Sequence, residues 1–256
     1  LSEAGVDTRL ATLFISDLHI DASRPAITAC FLRFLTREAR DADALYILGD
    51  LFESWVGDDD PDADQAAAIA GLRRLTERGV PCFVMHGNRD FLIGERFCAL
   101  TGAILLADPI LLTLYGQTVL VMHGDALCTD DVAYQRLRAT VRDGRWQSEF
   151  LALGATQRRA LADAARDGSR AHTATVSYAI TDVNADSVAS VLRASGASTL
   201  LHGHTHRPAI HALEIDGRAC TRIVLGDWYS QGSVLRWDER GYALGALPLA
   251  APVGPE

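Results

Sequence analysis

ATLFISDLH, residues 11–19, decides how this chain reads: an apolar, strand-like run (11–15) ends, and an Asp and a His follow at once. The same pattern returns four times. ALYIL (44–48) leads to Gly49 and Asp50, and PCFVM (81–85) to Gly87, Asn88 and Arg89. TVLVM (118–122) leads to His123, and STLL (198–201) to His204 and His206. In an α/β sheet, loops leaving parallel strands gather along one edge, where ligands bind. Five separate runs therefore carry Asp17, His19, Asp50, Asn88, His123, His204 and His206 toward one place. Oxygen donors mixed with imidazoles, with a carboxylate able to bridge, are what a pair of divalent cations needs. The pattern implies a two-metal hydrolase.

Each residue type suits that chemistry. Asp17 and His19 stand at i and i+2, on one face if strand geometry persists, and could grip one cation together. His204 and His206 repeat the spacing, so their imidazoles could serve the two metals separately. Asp50 has two oxygens with which to bridge. Asn88 offers a neutral amide oxygen beside the Arg89 guanidinium. Imidazole with carboxylate suits Mn²⁺, Fe²⁺ or Zn²⁺, and no thiolate is implied. Taken singly, Asp50 could cap a helix and Asn88 could form a turn. The five motifs together exceed what packing needs explain. His86, His202 and His211 read as core, supporting or surface residues.

A chain of 256 residues suits one sizeable α/β domain, expected here over 1–256 with a helical insertion at about 131–182. The net charge of −9 argues against general nucleic-acid binding. Within 131–182, however, eight Arg face six acids, and every cation in the chain is Arg, a planar donor suited to phosphate. No apolar run approaches the length of a membrane span. No basic segment followed by an apolar one opens the chain, so no secretory signal is expected. The five cysteines are scattered and lack CxxC spacing, which suggests buried free thiols and a cytoplasmic setting.

The coarse order is strand, loop, helix, repeated. Residues 25–41 predict a helix with Pro25 in its first turn and Ile27, Phe31, Phe34 and Leu35 on one face. A second helix is predicted over 62–78. Strands are predicted within 103–107, 110–115 and 118–122, with a tight turn at Tyr115-Gly116-Gln117. From 131 to 182 the apolar spacing (Leu137, Val141, Trp146, Phe150, Leu153) becomes helical and predicts a helical pair. Asn184 or Asp186 could cap a last helix. Residues 209–247 read as antiparallel strands with turns at Asp216-Gly217 and Arg240-Gly241.

DLH, GDLFESWVGDDD, HGNRDF, MHGDALCTDD and HGHTHRP, in this order over residues 13–237, resemble the calcineurin-like metallophosphoesterase superfamily. LFESWVGDDD (51–60), GNRDFLIG (87–94), HGDALCTDD (123–131), TDVN (181–184) and GDWYSQGS (226–233) narrow the resemblance to its bacterial UDP-2,3-diacylglucosamine diphosphatases. The resemblance implies a four-layer αββα sandwich with a helical insertion as a lid over the active site. It implies one metal, usually Mn²⁺, on Asp17, His19, Asp50 and His206, and a second on Asp50, Asn88, His123 and His204. It also implies that Asn88, Arg89, Asp131, Ser169 and His204 touch the substrate. Where those enzymes carry Asn and Lys in the insertion, this chain has Thr173 and Val176, with Arg170 as the candidate replacement for the Lys.

The expected reaction is cleavage of UDP-2,3-diacylglucosamine to UMP and 2,3-diacylglucosamine 1-phosphate. Metal-activated water would attack the UMP-side phosphorus, with Asn88, Arg89 and His204 as the catalytic side chains. Ser16 and Ser230 lack a paired base, so no protein nucleophile is expected. Apolar residues and Arg in the insertion suggest a groove for two acyl chains and contact with an anionic inner-membrane surface. A monomer, peripherally attached at the cytoplasmic face, fits that reading. Competing expectations are an enzyme for soluble nucleotide-sugar or dinucleotide pyrophosphates, a broad phosphomonoesterase, and a catalytically silent scaffold of the same fold.

Overall fold

The structure, a computed structural model, describes residues 10–175 and 180–249, with the backbone alone for 169–175. In chain order its strands are β1 (Thr12–Ile15), β2 (Ala44–Ile47), β3 (Cys82–Met85), β4 (Ile104–Leu106), β5 (Ile110–Leu114) and β6 (Gln117–Met122). They continue as β7 (Thr199–His202), β8 (Ala209–Ile215), β9 (Arg218–Val224), β10 (Gln231–Asp238) and β11 (Gly241–Pro248). The helices are α1 (Pro25–Thr36), α2 (Ala63–Glu77), α3 (Glu95–Thr101), α4 (Val132–Val141), α5 (Gly144–Leu151), α6 (Ala155–Thr175) and α7 (Ala185–Ser195).

Two sheets form, ordered β11-β10-β1-β2-β3-β4 and β5-β6-β7-β9-β8. Alternation along each strand decides what they face. In β1, Leu13 and Ile15 pack with α1 residues Ile27, Phe31 and Phe34 and α2 residues Ala68 and Leu72. Phe14, between them, points the other way and joins Leu48 and Met85 against Val119, Val121, Leu201 and Ile223 of the second sheet. That sheet sends Leu120, Met122 and Leu200 outward against Val188 and Leu192 of α7. The layers are therefore helix, sheet, sheet, helix.

β1, β2, β3 and β4 run parallel, as do β6, β7 and β9, so the loops after them emerge on one edge. Most expected elements are present, and Asn184 is the cap of α7, accepting from the Asp186 and Ser187 amides. Four details differ. The insertion holds three helices rather than a pair, because Asp143 caps a fresh start at α5. The first helix stops at Thr36 rather than 41. The last strands are antiparallel within each hairpin, but β9 runs parallel to β7, and the second hairpin joins the other sheet. α3 is an unexpected helix.

Candidate active site

All seven candidate ligands meet where the loops after β1, β2, β3, β6 and β7 converge. Asp17, His19, Asp50 and His123 form a buried floor, and Asn88, His204 and His206 form its half-buried rim. The expectation that strand geometry would align Asp17 with His19 is corrected here. β1 ends at Ile15, and both residues adopt left-handed backbone, with φ of 56° and 50°. Asp50, His204 and His206 do the same, at 52°, 66° and 57°. Non-glycine residues reach this region at a cost of about 1–3 kcal/mol each, and such residues concentrate at functional sites. The strain turns five side chains inward from loops whose strands have already stopped. Gly87 lets two loops touch: a Cβ there would lie 2.1 Å from Asp50 Oδ1.

The donors fall into two groups that share Asp50. At one end, His19 Nε2 lies 3.2 Å from His206 Nε2 and 3.7 Å from Asp50 Oδ2, and His206 Nε2 is 3.4 Å from Asp17 Oδ1. At the other, Asn88 Oδ1 lies 3.0 Å from His123 Nε2 and 2.9 Å from His204 Nδ1, with Asp50 Oδ1 3.8 Å from His123 Nε2. His204 and His206, two residues apart, thus face different ends. Asp17, His19 and His206 form one tight three-donor set, and Asp17, Asp50 and His123 form another. Asp17 therefore stands between the ends, nearer the second group than its expected single allegiance.

Behind the donors stands a shell that fixes their orientation. His19 Nδ1 faces Glu53 Oε2 at 3.1 Å, His206 Nδ1 faces Asp227 Oδ2 at 3.3 Å, and His123 Nδ1 donates to Leu48 O at 2.8 Å. Ser16 Oγ donates to Asp17 Oδ2 at 2.5 Å, so Ser16 holds a ligand rather than acting as a nucleophile. Asp90 accepts from the amides of Asp50, Leu51 and Gly87 and locks the β2 and β3 loops together. Buried Asp125 accepts from Tyr134 Oη (2.7 Å) and Arg138 Nε (2.8 Å), tying the His123 loop to α4. Sequence reasoning missed Glu53, Asp90, Asp125, Asp227 and Tyr134. For the four carboxylates the signal available was only their place inside the narrower motifs; Tyr134 lies outside them all and carried none.

The electrostatics fit divalent cations. Burial alone would raise the Asp17 carboxyl; the hydrogen bond and charge from His206, with His123 and His19, overcome it and hold it well below the usual range. Burial also opposes charge on Glu53, yet His19, Arg89 and Arg24 bring it to about 2. Burial disfavours a charged His123, but Asp50, Asp125 and Asp17 push it up to about 9. His204 is the reverse: burial and the His123 charge take it down to about 4, leaving a neutral ring with a free lone pair. Because the Leu48 carbonyl takes the Nδ1 proton of His123, it is Nε2, 3.0 Å from Asn88 Oδ1, whose proton a cation would displace. Asp17 Oδ1 is buried with only the long 3.4 Å approach of His206 Nε2 to satisfy it. Negative charge, the His204 lone pair and a poorly satisfied oxygen are relieved together by cations at this spot.

Beside the rim opens a cavity of about 530 Å³ between the core and the insertion helices. Asn88, Arg89, Tyr134, Arg138 and Arg166 mark its polar side. The rest is largely apolar, with Trp55, Phe91, Leu137, Val141, Trp146, Phe150 and Leu161 on the walls. Asp131 caps α4, accepting from the Tyr134 amide, and does not line this cavity. Ser169 and Thr173 lie on the α6 backbone with side chains outside the described set, and Val176 lies outside the described residues. Asp58, Asp59 and Asp60 serve structure. Asp58 accepts from Trp55 Nε1 and from the Gly94 and Phe97 amides, while Asp59 and Asp60 pair with Arg158 and Arg159 of α6. His202 is buried core, and His86 contacts the Ile93 carbonyl. All five cysteines are free, four of them buried.

A model of the calcineurin-like phosphoesterase family matches residues 10–208. A protein from Stenotrophomonas maltophilia (strain R551-3) named UDP-2,3-diacylglucosamine hydrolase is 51% identical over 245 residues, spanning 93% of this chain and 99% of that protein. Proteins of the same name from Xanthomonas axonopodis pv. citri (strain 306) and Salmonella typhi are 51% and 50% identical, each over 94% of this chain and their own full length. Donor convergence, sheet order and these similarities agree: this chain belongs to the calcineurin-like phosphoesterase family.

Proposed function

We propose that the chain hydrolyses the pyrophosphate bond of UDP-2,3-diacylglucosamine, giving UMP and 2,3-diacylglucosamine 1-phosphate. Support comes first from relatives of that name at half identity over nearly the whole chain. The observation that carries the reading is the apolar cavity opening directly beside Asn88 and Arg89. A phosphoryl site that adjoins a large apolar compartment suits a substrate that is lipid on one side and diphosphate on the other. The insertion, about 131–182, acts as a lid on a single domain.

Two Mn²⁺ ions are proposed as cofactor, one on Asp17, His19, Asp50 and His206, the other on Asp50, Asn88, His123 and His204. When bound, such cations lower the pKa of water toward about 7 and neutralise phosphoryl charge. The side chains do the remainder. Asn88 and His204, on the open rim, hold the UMP-side phosphoryl group in line for attack. Arg89 neutralises charge that grows on its equatorial oxygens, a contribution of several kcal/mol in a water-poor site. The backbone amide of Arg89 donates to Asp50 Oδ1 at 2.8 Å, so one residue steadies the bridging carboxylate and serves substrate. Water oxygen bonds to the UMP-side phosphorus, and the anhydride oxygen departs with the lipid-bearing phosphate. Exposed Val132, Leu151 and Leu161 on the insertion, with neighbouring Arg, support peripheral contact with an anionic membrane surface. No described helix is long and apolar enough to cross a membrane.

The test is UMP release from UDP-2,3-diacylglucosamine in detergent, with Mn²⁺ and then with EDTA, beside UDP-N-acetylglucosamine. Release from the lipid substrate alone, abolished by EDTA and by Asn88→Ala, is expected. Equal cleavage of the soluble sugar nucleotide would overturn the lipid assignment.

A further inference from the structure

The loop 225–230, between β9 and β10, gives the candidate centre only Asp227, behind His206. Its neighbour Trp228 is fully buried, flanked edge-on by Phe31 and Phe34. The Trp228 amide donates to Asp17 O at 3.1 Å, and its indole donates to Ser233 O at 3.1 Å. These bonds bolt the loop to the β1 loop and so place its next residue, Tyr229, beside the candidate centre. Tyr229 nonetheless stays 46% exposed, although one face of its ring stacks on His19 (5.5 Å, 21° between planes) and its edge meets His206 at 5.5 Å. The Arg24 guanidinium stands 4.6 Å from the ring centroid, steadied by donation to His19 O at 2.8 Å. An anchored aromatic ring with an arginine across it, half open to solvent at the edge of a phosphoryl site, is the side-chain set that receives a nucleobase.

Position narrows the ligand. The candidate centre has two ends, each flanked by a tyrosine. Tyr134 stacks on His204 at 5.9 Å and lines the apolar cavity, its hydroxyl committed to Asp125. Tyr229 flanks the His19 and His206 end, and neither it nor Arg24 lines that cavity, which reaches this end only through Glu53, the partner of Arg24. A substrate with lipid on one side of its diphosphate and a nucleoside on the other would use both flanks. We infer that Tyr229 and Arg24 form a nucleoside subsite, which stacks the pyrimidine of the nucleotide half while the lipid half enters the cavity. This rests on the proposed UDP-lipid reading. It adds a receptor for the half of the substrate that the cavity does not explain, and for the nucleotide product.

The test is binding of UMP and of ribose 5-phosphate, the same anion without its base, to the Mn²⁺-loaded full chain by titration calorimetry. UMP is expected to bind about tenfold more tightly, as loss of one stacked base would dictate. Tyr229→Ala should remove that preference. Tyr229→Leu, which keeps bulk beside His19 and His206 without a π face, should remove it too, and Tyr229→Trp should retain it. Hydrolysis of UDP-2,3-diacylglucosamine without any UMP preference, or with a preference that survives Tyr229→Leu, overturns the subsite alone. A wild type that does not cleave UDP-2,3-diacylglucosamine overturns the substrate reading and the subsite with it.

Discussion

At the scale of single residues, the site depends on carboxylates that hold its imidazoles in place. Glu53 orients His19 from behind, and outer partners of this kind typically govern metal affinity by about 10–100-fold. Glu53→Gln should therefore weaken Mn²⁺ binding by about that range, measured by titration of metal-free protein, with little loss of folded secondary structure. A second expectation concerns pH. Burial keeps His202 neutral and takes its pKa from 6.5 to about 4. As pH falls, the unfolded chain takes up this proton before the folded chain does. The stabilisation is complete above pH 6.5 and is lost as pH falls toward 4, on the order of 3 kcal/mol. EDTA-treated wild type should lose about 2–3 kcal/mol more than His202→Gln between pH 7 and 4.5, read by urea unfolding. The convergence of the candidate ligands was legible because Asp17, His19, Asp50, Asn88, His123, His204 and His206 carry their chemistry in short motifs. Glu53, Asp125 and Asp227 were not, because each acquires its role only when a distant loop arrives beside it.

Elements show the same division. α1 was readable from its apolar face and Pro25, α2 from an Ala-rich stretch stopped by Gly79, and α7 from Asn184, which caps its own helix. α3 was not, because its N-cap residue is Gly94, which has no side chain, and the carboxylate that accepts from its first turn comes from Asp58 in another loop. Likewise, alternation in β9 identifies a strand but cannot say that it will run parallel to β7. The attachment of α6 is a long-range device of this kind. Arg158, buried at its guanidinium, donates to Val56 O at 2.7 Å and to Asp59 at 2.5 Å. This pair holds α6 against the 56–60 loop, and α6 supplies part of the cavity wall. Arg158→Ala should let that wall shift, and misplacement by about 1 Å can cost up to about 100-fold in rate. kcat/KM for UDP-2,3-diacylglucosamine is expected to fall about 10–100-fold. The Mn²⁺ stoichiometry should stay unchanged, because no metal-site residue contacts Arg158.

For the whole molecule, the sandwich explains why so strained a site can persist. Five left-handed loop residues and buried like charges are held by two sheets whose facing layers are closely packed, with Phe14, Leu48, Met85, Val121 and Leu201 between them. The insertion then adds an apolar compartment to one end of a charged centre, and Asp125 joins the two through Tyr134 and Arg138. Everything functional in this account depends on that centre holding two cations that share Asp50. Anomalous diffraction at the manganese edge from Mn²⁺-soaked crystals tests this most directly. Two peaks per chain are predicted, one among Asp17, His19, Asp50 and His206, the other among Asp50, Asn88, His123 and His204, with Asp50 between them. A single peak, or none within reach of Asp50, would contradict it.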